Sequence, residues 1–194
     1  MQRVYLDNAA TTAIRPEVVD EMAHVMKNVF GNPSSTHVFG REAKALIEMS
    51  RKNIAQRLNV SPAEIYFTSC GTESNNTIIR SCVNDLAVTR IITTDMEHKC
   101  VLESVKDVEH KENVEVIRLN ILKDGNIDYS QLEELLKDQS KKTLVSLMHA
   151  NNEIGNLTDV KYISQLCQDN SALFHSDSVQ TVGHYNLDFQ ELGM

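Results

Sequence analysis

Six residues near the end of the chain, His175-Ser176-Asp177-Ser178-Val179-Gln180, follow the apolar Ala172-Leu173-Phe174. An apolar run giving way to polar residues reads as the carboxyl end of a buried strand, here turning an acid (Asp177) and an amide (Gln180) toward a ligand. A satisfied acid at a strand end is the plainer alternative. Three further clusters have the same position relative to an apolar run. In Thr68-Ser69-Cys70-Gly71-Thr72-Glu73-Ser74, a helix start would offer free backbone N–H groups and a positive dipole end to an anion, with small side chains letting a phosphate approach. Gly71 and Thr72 are the natural contacts, although a capped helix start needing no ligand fits this segment equally well.

His98 follows Thr93-Thr94-Asp95-Met96-Glu97, where its imidazole could stack on a flat ring or transfer protons. A lone histidine at a helix start is more often a cap or a surface residue. Asn151-Asn152-Glu153-Ile154-Gly155 follows a strongly apolar run, and asparagines in such a turn are common for conformational reasons alone. Four polar clusters at four successive strand ends are harder to dismiss together than singly. A metal site from His98, His149, His175 and Asp177 has competent ligand types but no His-x-x-x-His pair, so none is expected. There is no Gly-x-Gly-x-x-Gly or Walker pattern, and no Gly-x-Ser-x-Gly elbow.

The elements that would position these clusters alternate. Pro16 with Val18, Val19, Met22, Val25, Met26 and Val29 predicts a helix with proline in its first turn. A second amphipathic helix is expected from about Arg41 to Leu58. From residue 65 onward short apolar runs and helical patterns take turns: strands at 65–68, 90–93, 114–119, 144–148 and 172–175; helices at 74–83, 99–108, 131–136 and 159–167. Ser130 with Glu133 predicts a capping box at the start of the helix at 131–136. Residues 187–194 read as the approach to another strand. Such alternation predicts an α/β fold with a mainly parallel sheet, whose ligands gather at the carboxyl ends of the strands.

Composition narrows the class further. At 194 residues and 41% hydrophobic content, the chain is most simply one domain. A formal net charge of −8 argues against a protein held to nucleic acid by phosphate contacts. The amino terminus lacks an apolar signal core and no apolar run reaches membrane-spanning length, so a cytosolic protein without membrane contact is expected. The four cysteines, Cys70, Cys82, Cys100 and Cys167, have neither disulfide-framework nor zinc spacing.

With these clusters in this order, the chain resembles the NifS/IscS-type cysteine desulfurases, pyridoxal 5'-phosphate (PLP) enzymes of the aminotransferase fold. The resemblance rests on Tyr5-Leu6-Asp7-Asn8-Ala9-Ala10-Thr11-Thr12, Phe30-Gly31-Asn32-Pro33-Ser34-Ser35, Phe67-Thr68-Ser69-Cys70-Gly71-Thr72-Glu73-Ser74-Asn75-Asn76, Glu97-His98-Lys99 and Met148-His149-Ala150-Asn151-Asn152-Glu153-Ile154-Gly155. Any one block is weak; the ordered set is highly specific. The resemblance implies the PLP-binding large domain of a fold type I enzyme over residues 14–194, after an amino-terminal segment 1–13. It implies that Gly71 and Thr72 bind the cofactor phosphate, and that His98 stacks on the ring and acts catalytically in proton movement. Asn152 and Gln180 would lie near the ring hydroxyl, with Asp177 pairing the pyridinium.

The implied substrate is L-cysteine, whose sulfur passes to an enzyme cysteine while L-alanine leaves. The implied partners are a sulfur-acceptor protein, such as an iron–sulfur scaffold, and a second copy in a homodimer. Two departures stand out. Cys70 occupies a position where many relatives have glycine, and reads as a tolerated small residue. The last lysine is Lys161, whereas the family's cofactor lysine, loop cysteine and substrate-binding arginine are expected further along. The chain is therefore expected to be a truncated, inactive piece of a desulfurase. The alternatives are a non-catalytic fragment or interaction module, or a parent acting as a selenocysteine lyase.

Overall fold

A computed structural model describes residues 3–112 and 114–193, so the outermost residues of the expected segments 1–13 and 187–194 lie outside the described residues. The chain forms two compact units, Met1–Tyr66 and Phe67–Met194. In the first unit, α1 spans Pro16–Asn28, with proline at the start and no buried residue. Helix α2, Val38–Leu58, begins three residues before the expected Arg41, because the His37 imidazole accepts a hydrogen bond from the Gly40 N–H at 3.4 Å. Gly40 is required there, since a Cβ would lie 2.4 Å from the Ser35 carbonyl oxygen. Asn59, left-handed at φ 55°, ends the helix.

Residues 65–68 do not form the expected strand. A strand needs a ladder, and here the Ile65 N–H turns back to the Pro62 carbonyl while the Ile65 carbonyl is taken by the Arg51 guanidinium.

The second unit is a four-stranded sheet covered on both faces. Its elements are α3 Gly71–Asn84, β1 Arg90–Thr93, α4 Lys99–Glu112, β2 Glu115–Arg118, α5 Tyr129–Leu136, β3 Thr143–Ser146, α6 Val160–Asp169, β4 Leu173–His175 and α7 Phe189–Leu192. Strand order is β2-β1-β3-β4 with every pairing parallel, Ile91 opposite both Val116 and Leu144, and Val145 opposite Phe174. This is the expected mainly parallel α/β architecture. Successive residues of β1 face opposite layers. Ile91 packs with Ile79, Val101 and Val105 of α3 and α4, whereas Ile92 packs with Leu132, Leu136 and Ile163 of α5 and α6. Both isoleucines are fully buried, as a central parallel strand requires.

Two local expectations are corrected. Helix α5 is capped by Asp128, whose carboxylate accepts from the Gln131 N–H at 3.1 Å, and exposed Ser130 lies inside the helix. Glu133, the other half of the supposed box, accepts instead from the Tyr162 hydroxyl. Residues 189–192 are a short helix rather than a strand. The Asp188 carboxylate takes the N–H groups of Gln190 and Glu191, and Gly193, at φ 70°, closes the turn.

These caps give a direct test. Asp128→Ala should lower unfolding free energy by about 1 kcal/mol, while Ser130→Ala should change it by less than about 0.5 kcal/mol, both read from urea denaturation midpoints.

Candidate functional site

The order β2-β1-β3-β4 reverses direction between β1 and β3, so a crevice opens at their carboxyl ends. Buried Glu97, beyond β1, ties the two ends together. Its Oε1 accepts from the Met148 N–H at 2.9 Å and the Thr94 hydroxyl at 3.2 Å. Asn151 donates from Nδ2 to the Met96 carbonyl at 2.8 Å, while its own Oδ1 accepts from the Glu153 and Ile154 N–H groups. The asparagine-rich segment is thus a side-chain-closed turn anchored to the end of β1. Past β4, the Leu147 N–H bonds the His175 carbonyl and the His149 N–H bonds the Asp177 carbonyl. The β3–β4 ladder therefore continues to the acid.

Asp177 is only 9% exposed. Its Oδ2 accepts from Asn75 Nδ2 at 2.8 Å and its Oδ1 from the Val179 N–H at 3.1 Å. Among the described residues it has no ion-pair partner. Beside it lies the start of α3, where the N–H groups of Gly71, Thr72 and Glu73 precede the first intrahelical bond, from Ser74 N–H to the Cys70 carbonyl. A Cβ on Gly71 would lie 3.2 Å from Val179 Cγ2, which places this helix start against the segment carrying Asp177. The Cys70 thiol is drawn below its ordinary value first by the Glu73 N–H and then by the Ser69 hydroxyl, so the helix start already favours negative charge. The donors needed for a phosphate and a carboxylate lacking a counter-charge fit a phosphorylated cation of the pyridoxal type.

The other anticipated residues distribute unevenly. His98 is exposed just before α4, its Nδ1 facing the Cys100 N–H at 3.3 Å and Cys100 Sγ at 2.9 Å. Asn152 is half-buried in the turn after β3, its Nδ2 directed to Glu153 Oε1 at 3.2 Å. Gln180 is exposed in the turn closed by the Thr181 N–H on the Ser178 carbonyl. Asn75 and Glu97 escaped the reading of the sequence. Asn75 had a signal, because it shares a stripe with Ile79, Cys82 and Val83 on the buried face of α3, where an amide demands a polar partner. Glu97 had none beyond its place in the Glu97-His98-Lys99 block, since one of its partners is the Met148 N–H, just past β3.

His175 lies between Ser146 Oγ, 2.9 Å from its Nδ1, and Asn75 Oδ1, 3.2 Å from its Nε2. Burial pushes this imidazole down to about 4, against the pull of Asp177. Burial pushes the Glu97 carboxyl up to about 7, with Met148 N–H and the Thr94 hydroxyl opposing and Asp177 reinforcing. His149, bonded to the Thr181 hydroxyl at 2.9 Å, is also lowered by burial. Among the described residues no group of three or more His, Cys, Asp or Glu is placed to hold a metal ion, and no helix is long and apolar enough to cross a membrane.

Fold and site together define an open parallel α/β protein with an uncapped helix start and a buried carboxylate at the carboxyl ends of its strands. Residues 4–194 match the aminotransferase class-V family, and the chain belongs to it. It is 42% identical over 195 residues to "Cysteine desulfurase IscS" of Dictyoglomus turgidum, covering 100% of this chain and 49% of that protein. Among solved structures, a "NifS-like protein" superposes with a TM-score of 0.92 at 36% identity, covering 98% of this chain and 53% of that one. "SspA in complex with cysteine" superposes with a TM-score of 0.88 at 29% identity, covering 96% and 53%. The chain spans about half the length of the relatives it matches.

The two displaced titrations have opposite consequences. Between about 4 and 6.5 the unfolded His175 binds a proton that the folded one refuses, so its contribution to stability rises with pH. Between 4.5 and about 7 the folded Glu97 keeps a proton that the unfolded one has lost, so its contribution falls with pH. Relative to the parent, Glu97→Gln should therefore gain stability as pH rises from 4.5 to 7. His175→Asn should lose stability relative to the parent as pH rises from 4 to 6.5. Denaturation midpoints across this range test both, and parallel curves for either variant and the parent would contradict the assignment.

Proposed function

We propose that this chain is the cofactor-binding part of a PLP-dependent cysteine desulfurase. The observation that carries the reading is the buried Asp177 carboxylate, without an ion-pair partner among the described residues, beside the N–H groups of Gly71 and Thr72, which precede the first intrahelical bond of α3. Membership of the class-V family and the names of its relatives support it. When bound, the cofactor's protonated ring supplies the electron sink for bond cleavage beside a substrate amine.

The protein's own residues do the rest. Gly71 and Thr72 bind the phosphate through the helix start. Asp177 holds the ring nitrogen protonated, Asn152 and Gln180 orient the ring hydroxyl, and exposed His98 covers the ring face and moves protons. In the whole protein the substrate is L-cysteine; its sulfur passes to an enzyme thiol and L-alanine departs, the sulfur going on to an acceptor such as an iron–sulfur scaffold. We place the protein in the cytoplasm. A homodimer is supported by α1, which exposes Val18, Val19, Met22 and Met26. In this reading none of the lysines of residues 1–194, the last of them Lys161, carries the cofactor.

Titrating the chain with pyridoxal 5'-phosphate should shift the cofactor's absorption. Asp177→Ala should weaken binding at least about tenfold, as expected for losing a charged partner. Borohydride reduction of the mixture should label no single lysine stoichiometrically, and a stoichiometric adduct on one lysine would refute the claim that this chain lacks the carrier. In the whole protein, L-cysteine should yield L-alanine; a protein releasing alanine from selenocysteine alone would instead be a selenocysteine lyase.

A further inference from the structure

We infer that Asn75 is a positioning residue whose amide sets Asp177 and, through Cys100, His98 as one unit. Both donor hydrogens of this side chain and its oxygen are engaged. One Nδ2 hydrogen goes to Asp177 Oδ2 at 2.8 Å, and the other to Cys100 Sγ at 3.2 Å. The Oδ1 atom faces His175 Nε2 at 3.2 Å. The opposite orientation of the amide would place its oxygen against the Asp177 carboxylate, so Asp177 fixes which way Asn75 points.

That orientation assigns the protons around it. Because Asn75 Oδ1 accepts, His175 carries its hydrogen on Nε2, and its Nδ1 accepts from the Ser146 hydroxyl at 2.9 Å. On the other side the Cys100 backbone N–H donates to His98 Nδ1 at 3.3 Å, so neutral His98 also carries its hydrogen on Nε2. The Cys100 thiol, accepting from Asn75, donates its own hydrogen to the same Nδ1 across 2.9 Å. The result is a directed chain from Ser146 through His175 and Asn75, branching to Asp177 and through Cys100 to His98. Asp177 and His98 lie on different elements, yet both are linked to one amide, which is 4% exposed. A buried network satisfied throughout is rigid, and removing its hub releases both arms.

The roles of Asp177 and His98 rest on the proposed PLP function; the coupling itself does not. Long-range 1H–15N spectra of the 194-residue chain, with each histidine assigned by single substitution, measure it without cofactor. We expect Nε2–H tautomers for His175 and His98. Asn75→Ser and Asn75→Ala should shift both histidines and leave His149 unmoved, although Asn75 bonds only His175. Cys100→Ala should shift His98 and leave His175 unchanged, and this variant decides the matter if the Asn75 variants fail to fold. An Nδ1–H tautomer at His175, or a His98 unmoved in these variants, would overturn the inference.

Adding pyridoxal 5'-phosphate separates the two readings. If both hold, the His98 signal moves and Asn75→Ser weakens binding about tenfold, the scale of one charge-assisted hydrogen bond. Coupling in spectra that the cofactor leaves unchanged would defeat the functional reading alone. Binding without coupling would defeat the role given to Asn75.

Discussion

Parallel pairing of β1, β2, β3 and β4 is the constraint on which the candidate site depends. Parallel neighbours cannot be joined by a tight turn; each connection must cross a face of the sheet, and here helices make the crossings. Two consequences follow. The crossovers bury the central strands on both sides, which is why Ile91 and Ile92 belong to different cores. They also bring all strand carboxyl ends to one edge, so segments far apart in sequence converge. The reversal of strand order between β1 and β3 opens that edge for a ligand.

Convergence creates an electrostatic problem that the local chemistry resolves. Asp177 lies buried with Glu97 and His175 in its electrostatic reach. Burial first, and the neighbouring Asp177 charge only in support, push Glu97 up to about 7, which keeps it largely protonated below neutrality. His175, held near 4, is neutral and supplies no counter-charge. Asp177 is consequently satisfied by neutral donors alone, Asn75 and the Val179 N–H. A cationic ring nitrogen would complete what the protein leaves undone, and the helix start of α3 offers the complementary cradle for an attached phosphate. One buried acid, one helix dipole and one exposed imidazole are the groups on which the proposed cofactor site rests, in a chain that belongs to the class-V aminotransferase family.

Much of this was legible in the order of residues. The alternation of apolar runs fixed β1 to its residues, placed α1 and α3 to α6 within a few positions, and dictated a parallel sheet, because hydrophobic period and crossover length are properties of the chain itself. The polar clusters at 71–72, 98, 152 and 177 were visible as abrupt changes at apolar boundaries, and their sequence order carried the family resemblance. Local signals failed where a competing partner was nearby or a long-range partner was needed. Ser130 lost the cap of α5 to Asp128, two residues earlier, whose carboxylate reaches the free N–H. Residues 65–68 have strand-forming composition, but composition cannot provide a ladder, and the Ile65 backbone found Pro62 and Arg51 instead.

By itself, then, the sequence determined the fold class, the places of the polar clusters at strand ends and the family, since each depends on patterns contained in short stretches of chain. Only the tertiary structure decided how those residues are connected. Asn75 and Asp177 are 102 positions apart, and Asn75 and His175 are 100 apart. Their hydrogen bonds exist because α3 packs on the sheet beside β4, and no local pattern encodes which buried amide will meet which carboxylate. The pKa displacements have the same origin: desolvation and field are sums over neighbours, and the neighbours of Glu97 and His175 come from strands brought together by folding.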